Sequence, residues 1–332
     1  MRVIIDTDPG IDDSVALALA ARSPELDIAA VTTTYGNTTV DRATRNAREL
    51  FTRLGVSEKI PVHPGADRPL LRPLRVAADT HGVEGLGYAE LAHVITLEDE
   101  PLEAPHAMLR LAATADEPLT LICLGPLTNL ALALALDRPL LRQQVAEIVL
   151  MGGEPDGCGN VTPVSEFNFW CDPEAAQMVF QSGIPIRMVG LNVTRHMVLT
   201  RQAVGILAGH DMPTLRWWGD MLRFYEEFHR AQSGLEGCII NDPLVVALAL
   251  APEYGIARRM YVEISRHDDA TRGQSLCDRH GLAGQPNNAA VYVVCRWLDV
   301  LNLVNERVFS GALPVAELSR GAAVSPEPDR YQ

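Results

Sequence analysis

The sequence is short of lysine, aromatic residues, long apolar runs and closely spaced cysteines, and each shortage excludes something. Lys59 is the only lysine among 28 basic residues, which are outnumbered by 42 acidic ones for a net charge of −14. A field of that sign repels phosphate backbones and anionic lipid, which argues against nucleic acid or a membrane as partner. The six cysteines, Cys123, Cys158, Cys171, Cys238, Cys277 and Cys295, include no C-x-x-C pair. Zinc-ribbon and dithiol redox chemistry are therefore not expected, and reduced thiols in a cytoplasmic protein are the simpler reading. The longest apolar stretches, such as Leu244 to Ala251, fall short of half the roughly 20 residues a membrane-spanning helix needs. The apolar stretch before the first aspartate, Val3 to Ile5, is only three residues, too short for a secretory leader. What remains is a 332-residue chain, 47% apolar and 21% charged, with enough apolar surface for a sizeable core.

Apolar runs of strand length alternate with segments of helical period. The strand candidates are Val3–Ile5, Ile28–Thr33, Leu119–Leu124, Glu147–Met151 and Ile184–Val189. Helix candidates follow at Asp13–Ala21, Asp41–Arg53, Ala104–Ala113, Leu127–Leu136 and Pro173–Gln181. That alternation predicts right-handed crossovers and a mainly parallel central sheet flanked by helices, a single Rossmann-like α/β domain over residues 1–325. A helical insertion is expected around residues 199–232, then a short helix from Asp242, strands near Tyr261–Ile264 and Ala290–Cys295, and a last helix around Trp297–Phe309. Residues 326–332 read as a flexible tail. In such sheets ligands bind beyond the carboxyl ends of the strands, so polar clusters just after strands are the site candidates.

The first strand runs straight into Asp6-Thr7-Asp8-Pro9-Gly10-Ile11-Asp12-Asp13. Four carboxylates in eight residues repel one another, and burying them at a strand end is costly without a cation. Hard oxygen donors on a glycine-containing turn suit Ca²⁺ or Mg²⁺ better than zinc. Capping of the next helix by Asp12 explains one aspartate and leaves three. A phosphatase-like D-x-D turn is the weaker alternative, because no basic phosphate-binding motif follows it.

The octapeptide resembles the N-terminal signature of the inosine-uridine preferring nucleoside hydrolases. Later landmarks of that family stand in order: Thr34–Asn37, His81–Gly87, Leu124–Asn129, Met151–Gly153, Asn160–Asp172 and Asn241-Asp242-Pro243. The resemblance implies hydrolysis of the N-glycosidic bond of ribonucleosides, with Ca²⁺ as cofactor and an oxocarbenium-like transition state. It implies calcium ligands at Asp8, Asp13, Asp242 and the backbone carbonyl of Leu124, with Asp8 also the general base and Asp6 supporting the metal loop from behind. On the substrate it places Asp12, Asn37, Met151, Asn160, Glu166, Phe167, Asn168 and Tyr225. It further implies a small-molecule ribonucleoside as the only partner besides copies of the chain in a homodimer or homotetramer.

One departure matters chemically. Asn241 stands where the family carries a histidine that protonates the departing base. An amide donates a hydrogen bond but has no proton to deliver near neutral pH. His81 and His229 are the candidate replacements, the latter four residues from Tyr225 on one helical face. His93, His106, His210, His267 and His280 have no motif around them and read as surface residues. Around the base, Phe167, Trp217, Trp218 and Phe224 are the aromatic candidates, with core packing the competing reading for the tryptophans. Two alternatives stay open: a hydrolase of a ribosyl compound with an intrinsically good leaving group, such as nicotinamide riboside, or a nucleoside-binding protein without turnover.

Overall fold

The computed structural model describes residues 1–91, 103–267 and 270–324. Eleven strands are found among them: β1 (Arg2–Thr7), β2 (Asp27–Thr33), β3 (Val62–Pro64), β4 (Leu119–Cys123), β5 (Val145–Met151), β6 (Ile186–Val189), β7 (Val198–Thr200), β8 (Gly237–Ile239), β9 (Gly255–Ile264), β10 (Ser275–Asp278) and β11 (Ala289–Cys295). Nine form one sheet in the order β10-β9-β11-β6-β5-β4-β1-β2-β3, while β7 and β8 pair separately. The pairings from β3 across to β11 are parallel, and β9 and β10 are antiparallel additions at one edge.

The parallel strands read as continuous apolar runs because helices cover both faces. Two buried clusters result. One joins Val3, Ile5, Val31 and Ile122 to the helices Ile11–Ala21 and Asp242–Leu250. The other joins Ile4, Leu121 and Ile148 to the helices Thr128–Gln144 and Pro173–Phe180. Successive side chains of β1 alternate between these two clusters, which is why Ile4 belongs to one and its neighbours to the other.

The expected strands and helices are present, with shifts at their ends. The segment expected to end at Leu136 continues to Gln144, but across a break at Asp137, whose side chain accepts from the Leu140 amide and starts a new turn. The helical insertion consists of Arg201–Ala208 and Pro213–Ser233, framed by β7 and β8. Sequence reading missed β3, β7, β8, β10 and the helix Val315–Val324. The tail expected at 326–332 lies outside the described residues. Among the described residues no helix is long and apolar enough to cross a membrane.

From β1 the chain builds outward to β2 and β3 in one direction, then returns to build β4, β5 and β6 in the other. The direction therefore reverses between β1 and β4, which opens a crevice beyond their carboxyl ends. Asp8 and Leu124 follow directly on those two strand ends.

Candidate active site

A cavity of about 570 Å³ lies over this point. Asp12, Asn37, His81, Leu124, Met151, Asn160, Glu166, Phe167, Asn168, Tyr225, His229, Asn241 and Asp242 all wall it. The chain order of these residues spans more than 200 positions, so the sheet brings them together. Asp8 and Asp13 do not wall the cavity; both are buried, with Asp13 fully enclosed.

Carboxylate oxygens of Asp12, Asp13 and Asp242 lie within 4.8 Å of one another. Asp12 and Asp13 occupy the first turn of the helix Ile11–Ala21, where the helix dipole favours negative charge. Asp13 is held from three sides. Thr7 Oγ1 donates to its Oδ1 at 2.5 Å, and the Gly10 amide and Asn37 Nδ2 donate to its Oδ2 at 3.1 and 2.6 Å. Asn37 thus serves the carboxylates, and its backbone N–H also donates to Asp8 Oδ2 at 2.7 Å.

Asp8 fits between two glycines. A Cβ at Gly36 would stand 2.0 Å from its Oδ2, and one at Gly125 would stand 2.4 Å from its Oδ1. Its Oδ1 is buried with no hydrogen-bond partner among the described residues. Burial, then the charge of Asp13, pushes the Asp8 carboxyl well above the usual carboxylate range. Burial followed by the charge of Asp12 pushes Asp242 well up and Asp13 to about 6. An orphaned carboxylate oxygen beside three convergent carboxylates is a donor set suited to a hard divalent cation. Asp6 sits behind, accepting on Oδ1 from Thr32 Oγ1 at 2.6 Å and Asn129 Nδ2 at 2.8 Å, and burial raises it to about 7.

The opposite wall is built by the loop before the short helix Phe167–Cys171. Glu166 caps that helix, accepting from Asn168 N at 2.7 Å on Oε1, and from Gly153 N and Phe169 N on Oε2. Burial lifts Glu166 to about 7. Asn160 Oδ1 accepts from Phe167 N at 3.0 Å, so its amide nitrogen is the group left for a ligand. Asn168 Nδ2 donates to the Leu124 carbonyl at 2.7 Å and to the Met151 carbonyl at 3.3 Å.

Three rings line one side of the cavity. Tyr225 lies 5.2 Å from His81 and 4.5 Å from His229, centroid to centroid. His81 Nδ1 accepts from the Ile11 amide at 3.1 Å, which puts the ring proton on Nε2. Burial lowers His81 to about 4, so it is neutral at physiological pH. His229 is the reverse: Nδ1 donates to the Tyr225 carbonyl at 2.9 Å, leaving Nε2 as the titrating nitrogen, and burial lowers its pKa as well.

Several expectations are adjusted by this geometry. Trp217 and Trp218 pack against each other and, through Trp218, against Phe309 in the core. Phe224 packs on Tyr88. Neither tryptophan nor Phe224 walls the cavity, whereas Phe228, Gln232 and Trp170 do. Phe228 and Gln232, which sequence reading did not single out, stand three and seven residues beyond Tyr225, and that helical spacing could have marked them. Asn129 carried no comparable signal, because its partner Asp6 is remote in sequence, and Thr7, though only six residues from Asp13, is an ordinary strand residue by type. His106, His267 and His280 are exposed and His210 is half-buried, while His93 lies outside the described residues.

Residues 3–303 match the family model described as inosine-uridine preferring nucleoside hydrolase. The chain belongs to this family. Among its relatives is the pyrimidine-specific ribonucleoside hydrolase RihA of Photobacterium profundum, 40% identical over 92% of this chain and 98% of that protein. RihA of Enterobacter sp. (strain 638) is 38% identical over 92% of this chain and 97% of its own. Similar solved structures include a purine-preferring ribonucleoside hydrolase from Gardnerella vaginalis, with TM-score 0.83 and 28% identity over 97% of this chain and 99% of that one. A plant nucleoside hydrolase aligns with TM-score 0.83 and 33% identity, covering 92% and 98% of the two chains. This nucleoside hydrolase is an enzyme acting on ribonucleosides, releasing base and ribose.

Proposed function

We propose that the enzyme is a Ca²⁺-dependent N-ribohydrolase of pyrimidine ribonucleosides. The observation that carries this is the buried carboxylate group of Asp12, Asp13 and Asp242 with the orphaned Asp8 oxygen beside it, beneath a cavity walled by amides. Asp8, Asp13, Asp242 and the Leu124 carbonyl would hold the cation. Once bound, calcium supplies Lewis acidity toward water and an anchor for sugar hydroxyls. The pyrimidine preference is supported by the relatives named above.

The residues of the chain divide the remaining work. Asp8, through the oxygen that bonds no group among the described residues, takes the proton of the attacking water. Asp12 accepts the ribose 2′-hydroxyl. Asn160, Glu166 and Asn168 receive the other hydroxyls, using the Asn160 amide nitrogen, the less occupied Glu166 Oε1 and the Asn168 Oδ1. Met151 packs against the sugar, and Phe167, the one of the four aromatic candidates that walls the cavity, is left for the base. Fixing the ribose at several points orients the anomeric carbon for attack.

At the base, His81 acts as a neutral hydrogen-bond donor through Nε2, since its Nδ1 is committed to Ile11. His229 is the better proton donor, because only its Nε2 is free to gain and lose a proton. A second reading is supported by Asn241, which holds no acid: a leaving group that departs without protonation, as in nicotinamide riboside, would suit this wall. The enzyme acts in the cytoplasm, as its six free thiols support. A single domain over residues 1–325 and a homodimer or homotetramer complete the reading, the assembly on family resemblance.

Reducing-sugar release from uridine, cytidine, inosine, adenosine and nicotinamide riboside, with and without chelator, tests the proposal. Fastest release from uridine and cytidine, abolished by chelator and restored by Ca²⁺, is the expected result. Preference for inosine or nicotinamide riboside would overturn the pyrimidine assignment, and full activity in chelator would overturn the cation.

A further inference from the structure

The place of Asn241 in the wall gives it a task unrelated to the departing base. It lies between β8 and the helix Asp242–Leu250, and it grips Asp12 twice. Its backbone N–H donates to Asp12 Oδ2 at 3.1 Å and its side-chain Nδ2 donates to the same oxygen at 3.0 Å. Tyr225, from the helix Pro213–Ser233, donates its hydroxyl to that oxygen at 3.2 Å. Three donors therefore converge on one carboxylate oxygen, which has only two lone pairs, so Oδ2 is saturated. No donor among the described residues is bonded to Oδ1, and Asp12 walls the cavity.

We infer that Asn241 and Tyr225 are positioning residues that clamp Asp12 Oδ2 so that Oδ1 alone meets the ribose 2′-hydroxyl. Asn241 is thus no substitute acid. Its amide nitrogen is spent on Asp12, and its neighbour Asp242 belongs to the carboxylate group, so one dipeptide ties Asp12 to Asp242. An unclamped carboxylate rotates about its terminal bond and offers the sugar a range of geometries. The clamped one offers a single geometry, and a substrate lacking the 2′-hydroxyl leaves that oxygen unpaired. The inference rests on the proposal that Asp12 receives the 2′-hydroxyl.

The test compares kcat/KM for uridine, 2′-deoxyuridine and 4-nitrophenyl riboside in the wild type, Asn241→Ala, Tyr225→Phe and the double variant. A hydrogen bond to a charged group contributes about 1.5–3 kcal/mol, roughly ten- to hundredfold. Each single variant should therefore narrow the uridine-to-deoxyuridine ratio by about tenfold or more. Uridine and 4-nitrophenyl riboside should slow equally, because the clamp acts on the sugar and not on the leaving group. The double variant should lose less than the product of the single losses, since both groups serve one oxygen. An unchanged ratio, with uridine slowed far more than the aryl riboside, would place Asn241 at the leaving group and overturn the inference. Tyr225→Phe removes only a hydroxyl and decides the matter if Asn241→Ala does not fold. Asp12→Asn separates the two layers: an unchanged ratio there refutes the 2′-hydroxyl reading. A ratio lost with Asp12→Asn but kept with Asn241→Ala and Tyr225→Phe refutes the clamp alone.

Discussion

Removing divalent cations should make this enzyme less stable as pH rises, opposite to the trend of a protein held by ion-paired carboxylates. Burial raises Asp13 to about 6 and Asp6 to about 7, above the ordinary 3.8. Between those limits the native chain holds protons that the unfolded chain has released, so unfolding becomes easier with each pH step upward. From pH 5 to pH 8 about one pH unit of that window remains for Asp13 and about two for Asp6. Together they are worth ~4 kcal/mol at 1.36 kcal/mol per unit. Asp8 and Asp242, raised by the same burial, act in the same direction. At roughly 2 °C per kcal/mol for a chain of this size, the melting temperature in chelator should fall by about 8 °C or more. Calcium at a hundred times its dissociation constant should restore about 2.7 kcal/mol at pH 8. At pH 5 it should restore less, because it must displace protons. Thermal melts at pH 5, 6, 7 and 8, each with chelator and with excess Ca²⁺, make the comparison. A melting temperature in chelator that is flat or rising, or a calcium increment equal at both ends, would refute the reasoning.

Asp242→Ala should lose cation binding and activity together while far-ultraviolet circular dichroism stays native, because one of three convergent carboxylates is gone. Calcium titration by calorimetry and sugar release check both halves. His229→Ala should slow uridine by about 10²–10⁴-fold and leave 4-nitrophenyl riboside nearly untouched. In the wild type the ratio of uridine to aryl riboside turnover should rise as pH falls, since burial lowers the His229 pKa and the charged ring is the minor form at neutral pH. A ratio independent of pH and of His229 would remove it from the proton path.

What could be read from the sequence, and what could not, divides along physical lines. The parallel sheet was legible because β1, β2, β4 and β5 each carry a run of consecutive buried, mostly apolar residues, as strands covered on both faces do. The strands β3, β7, β8 and β10, three or four residues each, are too short to show a period. The octapeptide at the end of β1 announced a charged site because repulsion on that scale has few explanations. The partners that hold it were hidden. Asn129 reaches Asp6 across 123 positions and Asn241 reaches Asp12 across 229, distances over which one sequence carries no pairing signal. Trp217 and Trp218, for which sequence left a base-binding and a core reading side by side, are both buried in the core.

The site is assembled from two structural sources, and that division bears on substrate choice. Asp8, Asp13, Leu124 and Asn168 stand just beyond strand ends or at helix starts around the central sheet, fixed by short bonds to one another's neighbours, while Asp12 at the same place is held by Tyr225 and Asn241. Tyr225, Phe228, His229 and Gln232 stand on the helix Pro213–Ser233, which belongs to the insertion framed by β7 and β8. Its hydrogen-bonded link to the carboxylates runs from Tyr225 to Asp12. A sheet position is shared among many core contacts and resists change, whereas one face of an inserted helix can be rewritten without disturbing the sugar site. The chain's relatives include proteins named pyrimidine-specific, and its structural neighbours include one named purine-preferring. Under the proposed assignment of the sheet-borne residues to the ribose and the inserted helix to the base, the first half would stay fixed while the second could vary with the base. Among the described residues the hydrogen bond that joins the inserted helix to the carboxylates ends on Asp12 Oδ2, so under the proposed ribose reading a change at Tyr225 reaches the sugar through that oxygen.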